Sequence, residues 1–382
     1  MTTMTVINAV ILLAAIAFCG WRYSVNAGTL ESVFTKEVPS DLQVYLLGGQ
    51  KVANHQDLYD GDLLPGLPFT YPPFSGVVFS WFGLPTPTLA FWWNALAVVL
   101  LGVVCYGASR SINAPLLAVF FILATEPVHA TLYFGQINIF LMALVCLDFL
   151  PRNRLPGIGT GLAAGLKLTP AYFLLLLAVQ GRWGSIAIAG FTFLCTVAVG
   201  FQLVPDAARF WTESMFNSDR VGVADNPGAQ ALRQVLSREL GIDSTALWLL
   251  LAVLVTAIAA FGAYFAYRRH DLPLAVALTG MASCLVSPFS WHHHWVWIVL
   301  LGCVVYRWWG AVPMIVLMLP FVADNVAYGL FSVPNIAFTL VPLCFMVIYA
   351  GYGAYQLWLE YAQTSSRGNA DRRPHRRPSP NR

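Results

Sequence analysis

Apolar stretches long enough to cross a lipid bilayer recur along this chain, and they constrain its fold more than any other feature. A membrane-spanning helix needs about 20 mostly apolar residues, and in lipid only helices and closed barrels satisfy every backbone polar group. Charged residues make up only 10% of the 382 residues, against about 25% in soluble domains. The sequence therefore predicts an all-α polytopic membrane protein. Its candidate spans are 5–22, 86–108, 114–132, 136–150, 156–167, 169–181, 184–203, 245–267, 272–288, 293–306, 310–324 and 335–360.

Basic residues in the short loops predict the orientation of these spans, because cytoplasmic loops carry an excess of Lys and Arg. This assignment alternates correctly across about twelve spans and puts both termini inside, provided that the shorter stretch 72–84 is re-entrant or interfacial. Residues 5–22 are interpreted as an uncleaved first span, since no basic region precedes them. The cytoplasmic residues are then Arg110, Arg152, Arg154, Arg182, Arg268, Arg269, Arg307 and the C-terminal tail.

Two long segments, 23–71 and 204–244, then lie on the extracytoplasmic side. The outer segments and their margins hold 13 of the 18 acidic residues, and a run of histidines falls on the same side. Residues 42–54 and 229–240 are predicted to form short surface helices. We therefore expect a polar, functional surface on this side of the membrane.

The domain organisation is expected to be simple. Residues 1–364 form one transmembrane domain, and residues 365–382 form a disordered, basic cytoplasmic tail. The tail is rich in Arg, Pro and Ser, a composition that cannot build a core. We interpret it as an anchor to anionic lipid rather than as a nucleic-acid-binding surface, because no folded basic surface accompanies it.

Asp41 is the first candidate functional residue, because it lies just beyond the first span. A carboxylate at this position has two interpretations. Ser40 or Asp41 could cap the helix predicted at 42–54, since both residue types are preferred N-caps. Alternatively, Asp41 is a working acid or base at the membrane surface.

The histidine run His292, His293 and His294 is the second candidate. Three adjacent histidines cannot all point the same way on a helix, so they suit a metal site poorly. One or two of them facing a cavity would bind a phosphate or move a proton. The alternative is an interfacial belt of His and Trp, but ionisable groups at membrane depth are costly, which favours function.

Lys167 lies in Gly165-Leu166-Lys167-Leu168-Thr169-Pro170 and is the only lysine after Lys51. Pro170 is expected to break the helix there, which frees backbone groups that need lining. A cation at such a break suits an anionic ligand, whereas the alternative is a side chain that extends to the interface. Gln136 and Asn138 place two amides at the start of a span, as caps, as interhelical contacts or as ligands.

The second outer segment also carries polar residues, Asn226 and Gln230 among them, but a hydrated loop would look the same. The chain contains no phosphate-binding glycine loop, no paired-Cys zinc motif and no Gly-x-Ser-x-Gly element. Nucleotide-dependent chemistry in a soluble domain is therefore unsupported.

Several short motifs occur in a specific order between the first span and about residue 300. They are Asp41-Leu42-Gln43-Val44-Tyr45, Leu58-Tyr59, Phe69-Thr70-Tyr71-Pro72-Pro73, Gly135-Gln136-Ile137-Asn138, Lys167-Leu168-Thr169-Pro170, and Ser287-Pro288-Phe289-Ser290-Trp291 followed by His293-His294. In this order the chain resembles glycosyltransferase family 87, actinobacterial membrane enzymes of the GT-C superfamily. Within that family it is most similar to the α-(1→2) mannosyltransferases of phosphatidylinositol mannoside synthesis.

The resemblance implies a GT-C-type bundle in the plasma membrane and an inverting transfer of mannose on its extracytoplasmic side. The implied donor is polyprenyl-phosphate-mannose, and the implied acceptor is a phosphatidylinositol mannoside glycolipid. No cofactor and no nucleic acid are implied. No metal ligand is expected either, since cationic side chains can take a metal's place at the phosphate.

The resemblance also implies roles for individual residues. Asp41 is the base that takes the acceptor's proton, and His293 and His294 complete the catalytic set. Lys167 and one of these histidines hold the donor phosphate. The residues expected to bind substrate are Lys167, Gln136, Asn138, Tyr45, Tyr71, Asn226, Gln230 and His292.

The second outer loop departs from the family's pattern. Members often carry an Asn-Gln-Ser element there, whereas this chain reads Asp225-Asn226-Pro227-Gly228-Ala229-Gln230. A retaining mechanism would want a second carboxylate about 5 Å from the first, and spacing neither supports nor excludes Asp57, Asp60 and Asp62 for that role.

Other functions remain to be weighed against this one. The donor sugar could be another polyprenyl-linked sugar, such as arabinofuranose, since sugar choice depends on pocket shape. A lipid or sugar transporter would tend to show matched broken helices in two repeats, but the sequence shows one strong break, at 167–170. A purely structural membrane protein is disfavoured by the outer cluster of acidic residues and histidines.

Overall fold

Apolar sequence folds here into helices of very unequal length. The computed structural model describes residues 3–25, 37–151, 154–217, 220–223, 225–322 and 335–371. The α-helices are α1 (Thr3–Val25), α2 (Ser40–Ala53), α3 (Pro73–Ser80), α4 (Pro87–Ser109), α5 (Ala114–Ala124), α6 (Glu126–Tyr133), α7 (Asn138–Leu147), α8 (Ile158–Leu166), α9 (Leu174–Val179), α10 (Trp183–Leu203), α11 (Ala207–Thr212), α12 (Leu232–Leu240), α13 (Thr245–Arg268), α14 (Leu272–Val286), α15 (Ile298–Trp309), α16 (Ala311–Met318) and α17 (Asn335–Asp371). The 3-10 turns are Thr169–Phe173, Ser214–Phe216, His292–Trp297 and Leu319–Phe321. The short strands β1 (Asp62–Leu64) and β2 (Leu67–Pro68) form an antiparallel hairpin.

Five helices in the described part of the chain are long and apolar enough to cross a membrane. Helices α6 and α7 are together long and apolar enough to cross, but they are bent by 115° at the break between them. Counted as one broken span, they would make a sixth. The prediction of a helical polytopic membrane protein is thereby confirmed, whereas the number of about twelve spans stays a prediction. The five helices are Thr3–Arg22, Pro87–Ser109, Trp183–Leu203, Thr245–Arg268 and Ile336–Gln363.

The candidate span 114–132 is not one continuous helix. Helix α5 ends at Ala124, and Thr125 is extended before α6 begins at Glu126. Pro127 explains the break, because its ring would clash with the carbonyl of Leu123 in an uninterrupted helix. At 11 residues, α5 rises about 16 Å, roughly half of the hydrocarbon core.

The predicted break at Lys167 is confirmed. Helix α8 ends at Leu166, Lys167 adopts an extended conformation (φ −153°, ψ 132°), and a 3-10 turn starts at Thr169. Pro170 would meet the carbonyl of Leu166 if the helix continued. The chain therefore changes direction at Lys167, the only lysine after Lys51.

The two outer segments contact each other. The Asp206 carboxylate accepts hydrogen bonds from the backbone N–H groups of Leu58 (2.8 Å) and Tyr59 (2.7 Å). Helices α2 and α12 lie in these segments, close to the surface helices predicted at 42–54 and 229–240. The described parts of segments 23–71 and 204–244 therefore contact each other.

The core of the bundle lies around α14, which is buried along nearly its whole length. Gly280 on this helix allows the 3-10 turn at His292–Trp297 to approach closely. A Cβ at Gly280 would lie 2.3 Å from the Trp297 ring, so only glycine fits. In contrast, the long helix α1 exposes an apolar surface, as expected of a helix that contacts lipid.

Some predictions fall on residues that the structure does not describe. Helix α17 extends to Asp371, into the segment predicted to be the tail, while 372–382 lie outside the described residues. Glu31, Arg152, Asp219 and Asp324 also lie outside them.

Candidate active site

Asp41 lies in the first turn of α2, and its carboxylate is not a helix cap. The N-cap is Pro39, and no side chain caps this helix. Instead, the carbonyl of Phe134 accepts hydrogen bonds from the backbone N–H groups of Asp41 (3.1 Å) and Leu42 (3.3 Å). The capping interpretation of Ser40 and Asp41 is therefore wrong, and the Asp41 carboxylate is available for other contacts.

The Asp41 carboxylate accepts a hydrogen bond from the Gln136 side-chain amide. On its other side, the Gln136 carbonyl accepts the hydroxyls of Tyr45 (2.9 Å) and Tyr71 (3.2 Å). The two tyrosine hydroxyls are themselves 2.8 Å apart. A side-chain amide has both a donor and an acceptor end, so Gln136 joins the carboxylate to the tyrosine pair. Four of the predicted site residues meet here.

Lys167 faces inward rather than extending to an interface. Its Nζ donates to Asn138 Oδ1 at 3.1 Å and lies 5.2 Å from the centre of the Tyr71 ring. Asn138 Nδ2 in turn donates to the carbonyl of His293 at 2.9 Å. An ammonium has three donors, and the bond to Asn138 uses one of them. The interfacial interpretation of Lys167 is wrong, and its ammonium is positioned to bind an anion.

His293 is buried in the bundle and His294 is half-buried, so the interpretation as an interfacial belt of His and Trp is wrong for His293. The His293 ring is stacked 6.1 Å from Trp291, and among the described residues neither of its nitrogens has a hydrogen-bond partner. Buried polar groups are nearly always paired, so this imidazole is ready to accept a ligand. His294 lines a cavity of 20 Å³ beside Lys167 and Asn138, which has room for about one water.

His292 has a partner that the sequence interpretation did not include. Its Nε2 lies 3.4 Å from a carboxylate oxygen of Glu126, and both side chains are buried. Its Nδ1 lies 3.4 Å from the carbonyl of Gly228 in the second outer segment. A signal did exist in the sequence, because Glu126 is an ionisable residue inside the predicted span 114–132.

Asn226 and Gln230 make contacts within and around their own loop. Asn226 Oδ1 accepts the N–H of Gly228 at 2.8 Å. The Gln230 amide donates to the carbonyl of Pro227 (2.8 Å) and accepts the hydroxyl of Thr339 (2.9 Å). The structure therefore does not bring these two side chains into the Asp41 network, and their contact with a substrate stays a prediction.

The three other aspartates of the first outer segment point elsewhere. Asp57 is exposed, and Asp60 lies 3.5 Å from Arg209. The Asp62 carboxylate accepts the N–H of Gly66 at 2.9 Å. Among the described acidic residues of this segment, Asp41 is the one that contacts Gln136. The described residues contain no group of three His, Cys, Asp or Glu side chains that could hold a metal ion.

Comparison with known proteins shows which family this chain belongs to. The model of glycosyltransferase family 87 matches residues 69–288, more than half of the chain. The chain belongs to glycosyltransferase family 87. No solved structure matches it.

Several family 87 relatives from mycobacteria have described functions. A polyprenol-phosphate-mannose-dependent alpha-(1-2)-phosphatidylinositol mannoside mannosyltransferase of Mycobacterium tuberculosis is 35% identical over 293 residues, covering 68% of each chain. An enzyme of Mycolicibacterium smegmatis described as acting on the pentamannoside is 34% identical over 275 residues, covering 68% of this chain and 67% of the relative. A second protein of that species, described like the first relative, is 30% identical over 329 residues and covers 75% and 72%.

The family 87 match and the site overlap in part. Residues 69–288 include Tyr71, Gln136, Asn138 and Lys167. Asp41 lies before this range, and the three histidines lie just after it. Their place in the site therefore depends on the contacts described above rather than on the family match.

Gly135, at the turn between α6 and α7, positions Asp41. Its φ is +67°, and a Cβ there would lie 2.7 Å from the Leu42 Cβ and 2.9 Å from the Pro39 Cβ. We expect Gly135→Ala to displace the start of α2 and to lower kcat about 10²-fold, since a displacement of about 1 Å can have that effect. Steady-state kinetics and a thermal melt of the purified variant would measure the two effects separately.

Gly66→Ala is the matched control for this substitution. Gly66 also has a positive φ (+73°), but nothing lies within 4 Å of its missing Cβ. It therefore reproduces the backbone strain without the clash and should keep near-normal activity. Equal activity of the two variants would show that Gly135 does not position the site.

The pKa of Asp41 predicts the pH dependence of activity. Burial raises the pKa of this carboxyl above its ordinary value, while hydrogen bonds from Gln136 and Ser40 and the charge of Lys167 act in the opposite direction. If Asp41 is the base that the resemblance implies, it is active when deprotonated, so activity should fall as the pH drops through this raised pKa. We expect the acid limb of kcat/KM to lie above the ordinary Asp value of about 3.9. The same limb in the residual activity of Asp41→Asn would contradict its assignment to Asp41.

Proposed function

We propose that this chain is an inverting mannosyltransferase, which moves mannose from polyprenyl-phosphate-mannose to a phosphatidylinositol mannoside through an α-(1→2) linkage. The described functions of the relatives support this donor, acceptor and linkage. The observation that carries the proposal is the hydrogen bond between Asp41 and Gln136. Asn138, two residues after Gln136, accepts a hydrogen bond from Lys167. One carboxylate and one cation are thereby held in a single network.

In the proposed reaction, Asp41 acts as the general base. An acceptor hydroxyl attacks the anomeric carbon of mannose and loses its proton to the Asp41 carboxylate. The bond from that carbon to the phosphate oxygen breaks, and the polyprenyl phosphate leaves. Because this leaving group is weakly basic, no general acid is required. Partial burial of Asp41 supports this role, since it makes the carboxylate more basic.

Lys167 and either His293 or His294 stabilise the leaving phosphate. Negative charge grows on its oxygens as the bond breaks, and preorganised donors stabilise such charge most where water is excluded. The Lys167 ammonium is held in place by Asn138. His293 has two buried ring nitrogens without partners in the described structure, and His294 lines the cavity beside Lys167.

The arrangement of carboxylates favours inversion. A retaining double displacement would require a second carboxylate about 5 Å from the first. Asp60 is instead close to Arg209, and Asp62 bonds to its own hairpin. A single displacement by the acceptor hydroxyl then converts a β-linked donor into an α-linked product.

An assay of the purified protein tests the proposed function directly. The protein in lipid nanodiscs would be incubated with polyprenyl-phosphate-mannose and phosphatidylinositol mannosides, and the product linkage determined by NMR. We expect transfer of mannose with an α-(1→2) linkage. A parallel reaction would contain polyprenyl-phosphate-arabinofuranose. Transfer of arabinofuranose in the absence of mannose transfer, or a β-linked product, would overturn the proposal.

The proposal places this site on the extracytoplasmic side of a GT-C-type bundle of about twelve spans. Positive charge in the short loops supports this orientation. In a cysteine-free background, a membrane-impermeant maleimide should label Met215→Cys on intact cells but not Ala370→Cys. Both should be labelled after permeabilisation. The reverse pattern on intact cells would contradict both the orientation and the proposed side of the reaction.

A further inference from the structure

The 3-10 turn that begins at His292 (the histidine turn) is paired with the second outer segment. The backbone N–H of Gln230 donates to the carbonyl of Ser290 at 2.7 Å, and the N–H of His292 donates to the carbonyl of Gly228 at 2.8 Å. These two bonds belong to a short stretch of antiparallel pairing between the turn and the segment. The position of the turn, which carries His293, therefore depends on this pairing.

Helix α6 also contacts the histidine turn. The hydroxyl of Thr131 donates to the carbonyl of His293 at 3.0 Å, and the Glu126 carboxyl group lies 3.4 Å from Nε2 of His292. Glu126 and Thr131 are both buried, and a buried carboxyl group is costly unless it is paired. His292 therefore lies between α6 and the second outer segment and contacts both of them.

Both ring nitrogens of His292 have partners within the protein. Its Nδ1 lies 3.4 Å from the carbonyl of Gly228, and a carbonyl only accepts, so a hydrogen bond there requires a proton on Nδ1. Its Nε2 faces the Glu126 carboxyl group, where a single proton on either atom completes a hydrogen bond. Neither nitrogen is left for a substrate, in contrast to those of His293, which have no partner in the described structure.

We propose that Glu126 is a positioning residue, which through His292 holds the second outer segment on the histidine turn and so fixes the ring of His293 in the site. The role of His293 in this inference rests on the proposed function. A contact that only stabilises the fold would contribute to the free energy of unfolding and leave turnover unchanged in the folded enzyme. A positioning contact contributes to turnover even where the fold is fully stable.

Removing first one partner and then both separates these two roles. Glu126→Leu leaves Nε2 of His292 without this buried partner, which should lower the melting temperature. Glu126→Leu/His292→Leu replaces both partners with apolar groups, which is often neutral, so its melting temperature should return towards the wild-type value. We expect kcat to be about 10²-fold lower in both variants, because a displacement of about 1 Å can have that effect, while the donor KM stays near normal. Recovery of kcat in the double variant would overturn the inference.

Glu126→Gln tests whether the contact or the carboxyl group itself is needed. A glutamine amide can donate to Nε2 of His292 and keeps the size of the side chain, so this variant should retain most of the wild-type turnover. A loss of turnover as large as that in Glu126→Leu would overturn the positioning role, since the carboxyl group would then act through its charge or its proton.

Hydrogen exchange provides a readout that needs no substrate. The backbone amides of Gln230 and His292 are hydrogen-bonded, and their exchange reports local opening. In Glu126→Leu and in the double variant, peptides that cover 226–232 and 289–294 should exchange faster than in the wild type, at a temperature where all three proteins are folded. Wild-type exchange in both variants would show that Glu126 does not hold this segment, and would overturn the inference.

Asp271→Asn is the matched control, because it weakens a partly buried ion pair away from the site. Asp271 lies 2.5 Å from Arg307 at the start of α14, whereas Cys284, which lines the cavity of the site, lies near the end of that helix. This variant should lower the melting temperature without changing kcat or the exchange of 226–232. An equal fall in kcat would overturn the inference, since any weakened ion pair would then have the same effect. A wild type that transfers no mannose would overturn the proposed function, and hydrogen exchange would still show whether Glu126 holds the segment.

Discussion

Asp41→Asn is expected to lower turnover about 10²–10⁴-fold, the usual contribution of a positioned general base, while the fold and the affinity for the donor stay intact. An asparagine has the shape of the aspartate, and its carbonyl can still accept the hydrogen bond from Gln136. It cannot take a proton from the acceptor. Steady-state kinetics, together with competition by polyprenyl phosphate, would separate turnover from donor binding.

Asp57→Asn provides the control for this substitution. Asp57 lies in the same outer segment, but it is exposed. Its replacement removes the same charge and should leave turnover near normal. If Asp41→Asn retained near-normal turnover, Asp41 would not be the base, and Asp57, Asp60 and Asp62 would have to be tested in its place.

The sequence identified most of the polar residues of this site because each one interrupts apolar sequence. Gln136, Asn138 and Lys167 stand out in predicted spans, where polar groups are costly. The sequence did not show which of them meet. Asp41 and Gln136 are 95 positions apart, and their contact depends on the bend between α6 and α7. Periodicity describes single helices and contains no information about such a bend.

The Glu126–His292 contact was missed for a related reason. The apolar stretch 114–132 was interpreted as one span, so Glu126 received no role. Its ionisable side chain and the following Pro127 were both signals of a break. The partner, His292, is 166 positions away, and only the packed bundle brings the two together.

In the second outer loop, the sequence predicted substrate contacts that the structure does not show. Asn226 and Gln230 were expected to bind substrate, but their amides bond to Gly228, Pro227 and Thr339. Amide side chains in a loop often satisfy the loop's own backbone. Composition alone cannot distinguish such an amide from one that faces a ligand, so the prediction for this loop was weaker than the prediction for the spans.

Substitution of Lys167 should have the second-largest effect. Lys167→Met keeps most of the side chain's length and removes its charge. Loss of one donor to developing negative charge typically lowers kcat about 10²–10³-fold, and the same contact in the bound donor should raise the donor KM. Both parameters would be measured with polyprenyl-phosphate-mannose, and a rise in Ki for polyprenyl phosphate would show that the phosphate is what Lys167 contacts.

Lys51→Met is the matched control, because it removes a lysine in the outer segment whose Nζ donates to the carbonyl of Asp60 at 2.8 Å. It changes the net charge equally but lies away from Asn138 and Tyr71, so the donor KM and kcat should stay near normal. An unchanged donor KM and Ki in a folded Lys167→Met enzyme would exclude Lys167 from phosphate binding. His293 and His294 would then be the next candidates for this contact, and at least one of them would have to carry a proton when the donor is bound. Burial disfavours the charged form of both side chains. Lys167 is the stronger candidate, because the ordinary pKa of lysine, about 10.4, lies far above that of histidine, about 6.5.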